Sequence, residues 1–202
     1  MSKELEAARE LVKMLEEKEK ANKVELSTLN CGDTFKIGEH DFIVLKQDMQ
    51  NHTTKVISKG FMAENVVFDN NTRDYNKSSL KKLIEKDIQP IIENAIGADN
   101  LVEHEVDLTS VDMQNEFGKC KCKVRPITFD ETREFNDYLV NKNLDDYSWT
   151  CTPWSTADRG YKYSMAVVSP SGYVNNYDRG FGGCGVRPVC ILKSNIFVSK
   201  GE

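Results

Sequence analysis

Apolar and polar positions along the chain fall into segments of distinct period. Over residues 1–23, Leu5, Ala8, Val12 and Leu15 recur at three- and four-residue spacing and make one apolar seam, which Leu11 and Met14 widen. That period predicts an amphipathic helix. Ser2 stands where an N-cap would accept backbone N–H groups, and Glu4 and Glu6 sit in the first turn, where the helix dipole favours anions. Glu16–Lys20 and Glu19–Lys23 add favourable pairs four residues apart. Two heptads are too short to hold a coiled coil unaided. The segment reads either as a helix packed on its own domain or frayed in solvent, or as a docking and oligomerisation handle.

Period two takes over next. Residues 33–37, 41–46 and 54–58 read as strands, with Phe35 and Ile37, then Phe42 and Val44, alternating around the polar turn Gly38-Glu39-His40-Asp41. Ser79 opens a helix with Leu80, Leu83, Ile84 and Ile88 on one face. Pro90 breaks or kinks it, and Ile91, Ile92 and Ile96 carry a second apolar stretch toward Gly97. Residues 119–127 read as one strand. Thr128-Phe-Asp-Glu131 is a capping box, predicting a helix from about Phe129 through Val140 that turns Phe135 and Leu139 to the core and is not broken by Asn136.

From Tyr147 on the pattern changes again. Trp149-Thr-Cys-Thr-Pro153-Trp154 reads as a strand and turn, residues 163–168 as a strand, Pro170-Ser-Gly172 as a turn and residues 173–177 as the return. A glycine-rich loop, Gly180-Phe-Gly-Gly-Cys-Gly185, leads into a final buried strand over residues 186–192, with Pro188 marking an edge or a bulge. This order excludes a doubly wound βαβ fold and predicts an α+β domain of antiparallel strands and two main helices over residues 24–202, after an amphipathic helix over residues 1–23.

Composition narrows the function. The formal net charge of -5, with no dense basic patch, argues against nucleic acid as a partner. No stretch of about 18 apolar residues is present to span a membrane, and the charged first residues do not form a signal peptide. A cytoplasmic or virion-associated protein is the expectation. Of the six cysteines, Cys31, Cys120, Cys122, Cys151, Cys184 and Cys190, none forms a zinc pattern, because Cys120-Lys-Cys122 has neither the usual spacing nor a partner pair. Free buried thiols are expected, and no cofactor.

The tryptophan strand, the Pro153 turn, the hairpin around Ser171-Gly-Tyr-Val174 and the closing Gly185-Val-Arg-Pro188 together resemble an uncharacterised domain of gut anaerobes and their phages. That domain is in turn similar to the C-type-lectin-like fold of formylglycine-generating enzymes and of the variable proteins of diversity-generating retroelements. Residues 32–45 resemble its opening hairpin and residues 76–84 its first helix, so the resemblance covers residues 26–192. It implies that Trp149, Gly185, Val186, Arg187 and Pro188 are scaffold, with Arg187 tying loops together through its five donors. It also implies that ligand contacts come from Trp154, Asp158, Arg159, Tyr161, Asn175, Asn176, Tyr177, Asp178, Arg179 and Phe181, residue types that suit a paratope.

On this reading the protein is a non-catalytic recognition module for a protein or surface glycan. Copper- or thiol-dependent oxidation of the formylglycine-generating kind is the alternative, since Cys184 and Cys190 flank the closing motif and Arg179 and Arg187 could activate Cys184. The close cysteine arrangement of those enzymes is not reproduced. A purely structural oligomer is the third reading. No Gly-x-Ser-x-Gly elbow, His-Glu-x-x-His helix or Walker loop occurs.

Overall fold

A computed structural model describes residues 5–6, 8–12, 14 and 23–201. The first segment's expected role therefore lies largely outside the described residues. Residues 5–6, 8–12 and 14 of it are helical and exposed, Leu11, Val12 and Met14 among them, and Lys23 already belongs to the first strand.

The rest is α+β, mostly antiparallel. In chain order the strands are β1 (Lys23–Glu25), β2 (Thr34–Ile37), β3 (His40–Asp48), β4 (Thr53–Ser58) and β5 (Ala63–Val66). A helical stretch follows: α1 (Ser79–Leu83), a wide π turn (Ile84–Ile88) and α2 (Gln89–Ile96). Then come β6 (His104–Asp107), β7 (Lys119–Cys122), β8 (Val124–Pro126) and the short helices α3 (Phe129–Glu134) and α4 (Asn136–Leu139). The chain ends in β9 (Ser148–Pro153), β10 (Ser164–Val168), β11 (Val174–Asp178), β12 (Cys184–Val186), β13 (Pro188–Lys193) and β14 (Phe197–Lys200).

Seven strands form one sheet in the order β1-β14-β2-β3-β4-β13-β8, and five form a second in the order β11-β10-β9-β12-β5. The β6–β7 hairpin stands as a sheet of its own. β3 is buried without interruption from Phe42 to Leu45 instead of alternating, because it lies inside the large sheet with apolar layers on both faces. Phe42 and Val44 pack with Leu80, Ile84, Ile88 and Ile92 of the helical stretch and with Trp149. Ile43 and Leu45 pack with Phe135 and Leu139 on the opposite side.

Several sequence expectations are corrected here. Pro90 does not break the helix. The π turn ahead of it widens the backbone, and a proline lacking an N–H fits at the start of α2. The strand expected over residues 119–127 divides at Lys123, where β7 pairs with β6 and β8 turns away to pair with β13. The helix after Thr128 stops at Phe135, whose dihedrals (φ -116, ψ 18) leave the helix so that both Phe135 and Leu139 reach the second core. Asn136 then starts α4 and donates to the Gly172 carbonyl. The expected strand over residues 186–192 divides at Arg187, with β12 in one sheet and β13 in the other. Pro188 is neither edge nor bulge but the first residue of an interior strand, a position where the missing donor is tolerated.

One ion pair joins these pieces. Arg125 on β8 makes a two-pronged bond to Glu131 at the start of α3, both contacts 2.7 Å. Glu131 also accepts from Lys55 of β4 at 2.6 Å and from the Thr128 N–H at 3.0 Å, while Thr128 Oγ1 accepts from the Glu131 N–H. Burial disfavours the Glu131 carboxylate, but Arg125 and then Lys55 outweigh it and hold the carboxyl well below its usual range. Arg125 Nε donates to His104 Nε2 at 3.1 Å, which leaves the proton on Nδ1, facing the Val102 carbonyl. Burial first, and the adjacent guanidinium second, lower the His104 pKa to about 4.

Two outcomes follow from this network. Glu131→Ala strands the buried guanidinium, so urea unfolding should show a loss of about 3–5 kcal/mol. Folded His104 binds its proton near pH 4, whereas the unfolded imidazole does so near 6.5. Its contribution is therefore complete above about 6.5 and is lost as pH falls toward 4, at a slope of about 1.4 kcal/mol per pH unit. His104→Gln, which keeps an acceptor for Arg125, should flatten that part of the stability–pH curve.

Candidate functional site

The closing segment is built on β9, every residue of which is buried. Trp149 is fully enclosed; its indole N–H donates to the Val66 carbonyl at 2.7 Å, and its ring meets Phe68 edge-on at 5.8 Å. β12 runs parallel beside β9, pairing Gly185 with Ser148. Gly185 has no room for a side chain, since a Cβ there would lie 2.3 Å from the Phe61 ring. At the joint between the sheets, Arg187 is buried and donates from Nε to the Ser58 carbonyl at 3.0 Å and from Nη1 to the Leu139 carbonyl at 2.8 Å. It has no carboxylate partner in those bonds, and burial alone lowers its pKa to about 10.

Above this floor lies a groove of about 700 Å³, walled by the β2–β3 turn, the segment after β4, the segment after α4 and the glycine loop. Its lining carries five carboxylates, Glu39, Asp41, Glu64, Asp145 and Asp146, against the single ammonium of Lys59. Beside it stands a ridge of three aromatic rings. Tyr147 and Tyr177 lie 4.8 Å apart by centroid, and Phe181 meets Tyr177 edge-on at 4.9 Å. Groove and ridge meet at Asp146, which accepts the Tyr147 N–H, and at Gly183, over which Phe181 lies so closely that a Cβ would sit 2.6 Å from its ring.

The residues named from the sequence divide into three groups. Tyr177 and Phe181 meet on the ridge, and Asn175 shares the Tyr177 side of β11, while Asn176 and Asp178 alternate to the other side. Trp154, Asp158, Arg159 and Tyr161 occupy the β9–β10 loop, where Ser155 and Arg159 donate to Asp112 and the Ala157 N–H donates to Glu116. Asp112 accepts from Ser110, Ser155 and Arg159, and those donors hold its carboxyl near 2. Arg159, expected to meet a ligand, thus already has a partner. Arg179, expected likewise, is buried, donating to the Asn70 carbonyl at 2.8 Å and lying over the Tyr163 ring at 5.0 Å.

Tyr147, Asp146, Glu64 and Phe61 were missed. The run Asp145-Asp-Tyr147 ahead of the tryptophan strand was the one sequence signal for part of this face.

The cysteines are free; Cys31 is exposed and the other five are buried. Cys184 has no electropositive surroundings of the kind expected from Arg179 and Arg187, whose donors go to backbone carbonyls. Burial, with Asp146 adding to it, pushes the Cys184 thiol up to about 12, and burial does the same for Cys190. A smaller cavity of about 350 Å³ lies over the Lys55–Glu131–Arg125–His104 network. Both ring nitrogens of His104 are engaged there, so the ring is placed to pack and accept, not to shuttle a proton. Among the described residues no helix is long and apolar enough to cross a membrane. Compared with protein-family models, curated proteins and solved structures, the chain matches none.

The two close glycine approaches differ in what can yield. At Gly185 the ring of Phe61 is half-buried against the β12 backbone, so Gly185→Ala should lower unfolding free energy by about 1–3 kcal/mol. At Gly183 the neighbour is the exposed Phe181 ring, so Gly183→Ala should change stability by less than about 0.5 kcal/mol while displacing the ridge. Paired urea melts of the two variants make the comparison.

Proposed function

We propose that the protein is a non-catalytic recognition module, binding a protein or surface glycan across the Tyr147–Tyr177–Phe181 ridge and the acidic groove beside it. The observation that carries this reading is the pairing of a rigid floor with an aromatic ridge in which Tyr147 and Tyr177 are half-buried against the core and Phe181 stands out from it. Trp149, Gly185 and Arg187 are enclosed and bonded to the backbone, whereas Phe181 is 45% exposed at the edge of the groove. Aromatic rings on such a floor offer large contact area at small entropic cost, and carboxylates and amides beside them supply directional acceptors. The excess of carboxylates favours partners that present cationic or hydroxyl-rich groups. A C-type-lectin-like assignment of the α+β fold is part of the same proposal, resting on the closing-motif resemblance, as is a role on a phage particle or as a retroelement-diversified binder.

Arrays of surface polysaccharides and immobilised host proteins provide the test. For any partner found, Phe181→Ala and Asp146→Asn should each weaken binding about tenfold or more. Met49→Ala, at an exposed position in the β3–β4 connection, should leave it unchanged, and all three variants should melt like the parent. Binding that survives both ridge and groove substitutions would place the contact elsewhere and overturn the reading.

A further inference from the structure

The cavity of about 350 Å³ over the Arg125–Glu131 pair shares no lining residue with the acidic groove, and its floor holds more donors than the fold uses. Glu131 Oε1 accepts from Lys55 Nζ at 2.6 Å and from Arg125 Nη2 at 2.7 Å, so two cationic nitrogens flank one oxygen. Lys55 gives one of its three protons to that oxygen, and the other two have no acceptor among the described residues. Arg125 has acceptors for four of its five N–H groups, at His104, at the Pro126 carbonyl and at both Glu131 oxygens, which leaves one on Nη2. Thr152, buried and also lining the cavity, accepts the Phe129 N–H at 3.0 Å, while its own hydroxyl proton has no acceptor among the described residues.

We propose that this cavity binds a free amino acid, whose carboxylate meets Lys55, Arg125 and Thr152 at the floor and whose ammonium group meets Asp107 and Asp130 at the mouth.

Charge sets the class of ligand. At the largely buried floor two cations face one carboxylate, so the fold leaves one positive charge there without a partner of its own. Unpaired charge taken out of water is costly, and an incoming carboxylate removes that cost. It can bridge the same two nitrogens that Glu131 Oε1 bridges, through short charge-assisted hydrogen bonds. The mouth has the opposite sign. Asp107 uses only Oδ1, for the Thr109 N–H and hydroxyl, and keeps Oδ2 free among the described residues. Asp130 is exposed and has no hydrogen-bond or ion-pair partner among the described residues. Glu105, the third carboxylate there, is already paired with Lys119 at 2.7 Å.

An anion alone would meet the free carboxylates at the mouth, and a cation alone would meet the floor. A small molecule that carries both charges satisfies both. Exposed Met113 and half-buried Phe129 add apolar wall for its carbon chain, and the volume suits a small molecule. No residue of the Tyr147–Tyr177–Phe181 ridge lines this cavity, so the inference stands or falls separately from the recognition reading.

The test is calorimetric titration of the full chain with the free L-amino acids, one at a time, and with propionate and propylammonium as single-charge controls. The expected result is saturable one-site binding of at least one amino acid, about tenfold or more tighter than either control. Lys55→Met, which keeps the aliphatic stem, should weaken it about tenfold or more, and Asp130→Asn should narrow the preference over propionate. Phe181→Ala should leave it unchanged. Absence of saturable binding by every amino acid, equal binding of propionate, or full-strength binding in Lys55→Met overturns the proposal, as does loss of binding in Phe181→Ala. Backbone amide NMR of the parent chain needs no variant to fold. Shifts centred on Met113, Phe129 and Thr152 at saturation support the site, and shifts centred on Tyr177 and Phe181 overturn it.

Discussion

The Arg125–Glu131 pair is where the separate parts of this fold are made to agree. It joins an edge strand of the large sheet to a helix N-terminus, with Lys55 entering from β4 and His104 from β6. Two charges taken out of water repay their desolvation only when geometry is complete and the remaining lone pairs are bonded. Here they are: Glu131 serves Arg125, Lys55 and the Thr128 N–H at once. His104 stays neutral because burial, and then the adjacent Arg125 guanidinium, disfavour its charged form. The positions of α3, β8 and the β6–β7 hairpin are therefore coupled, and so are the shapes of what they support, including the face of β7 that carries the two inward cysteines.

A second joint lies at Arg187, where the chain passes from one sheet to the other. Its guanidinium ties the end of β4 to the end of α4 through carbonyl oxygens, without a counter-charge among those bonds. The groove opens between the same two segments. The carboxylates gathered around the groove concentrate there much of the chain's negative character, something the overall charge of -5 does not locate.

Much of the local structure was legible because it depends on near neighbours. The β2–β3 hairpin follows from alternation around a two-residue turn in which Gly38 takes a positive φ of 58. The Thr128–Glu131 capping box formed where it was read, since both of its bonds lie within one helical turn. The β10–β11 hairpin likewise formed around Gly172, at φ 79. The misreadings occurred where distant partners decide. Residues 119–127 and 186–192 each look like one strand, because an apolar run says that residues are buried but not in which sheet.

The sequence by itself determined the α+β class, the hairpins and the capped start of α3, because hydrophobic period, turn chemistry and caps act over a few residues. Tertiary structure alone decided where the strands break, that Arg179 is enclosed and Arg159 paired, and that Tyr147 and Asp146 belong to the candidate face. Those outcomes depend on which side chain meets which across sequence separations such as Asn70–Arg179, Asp112–Arg159 and Tyr147–Tyr177. Period and composition carry no record of such distances.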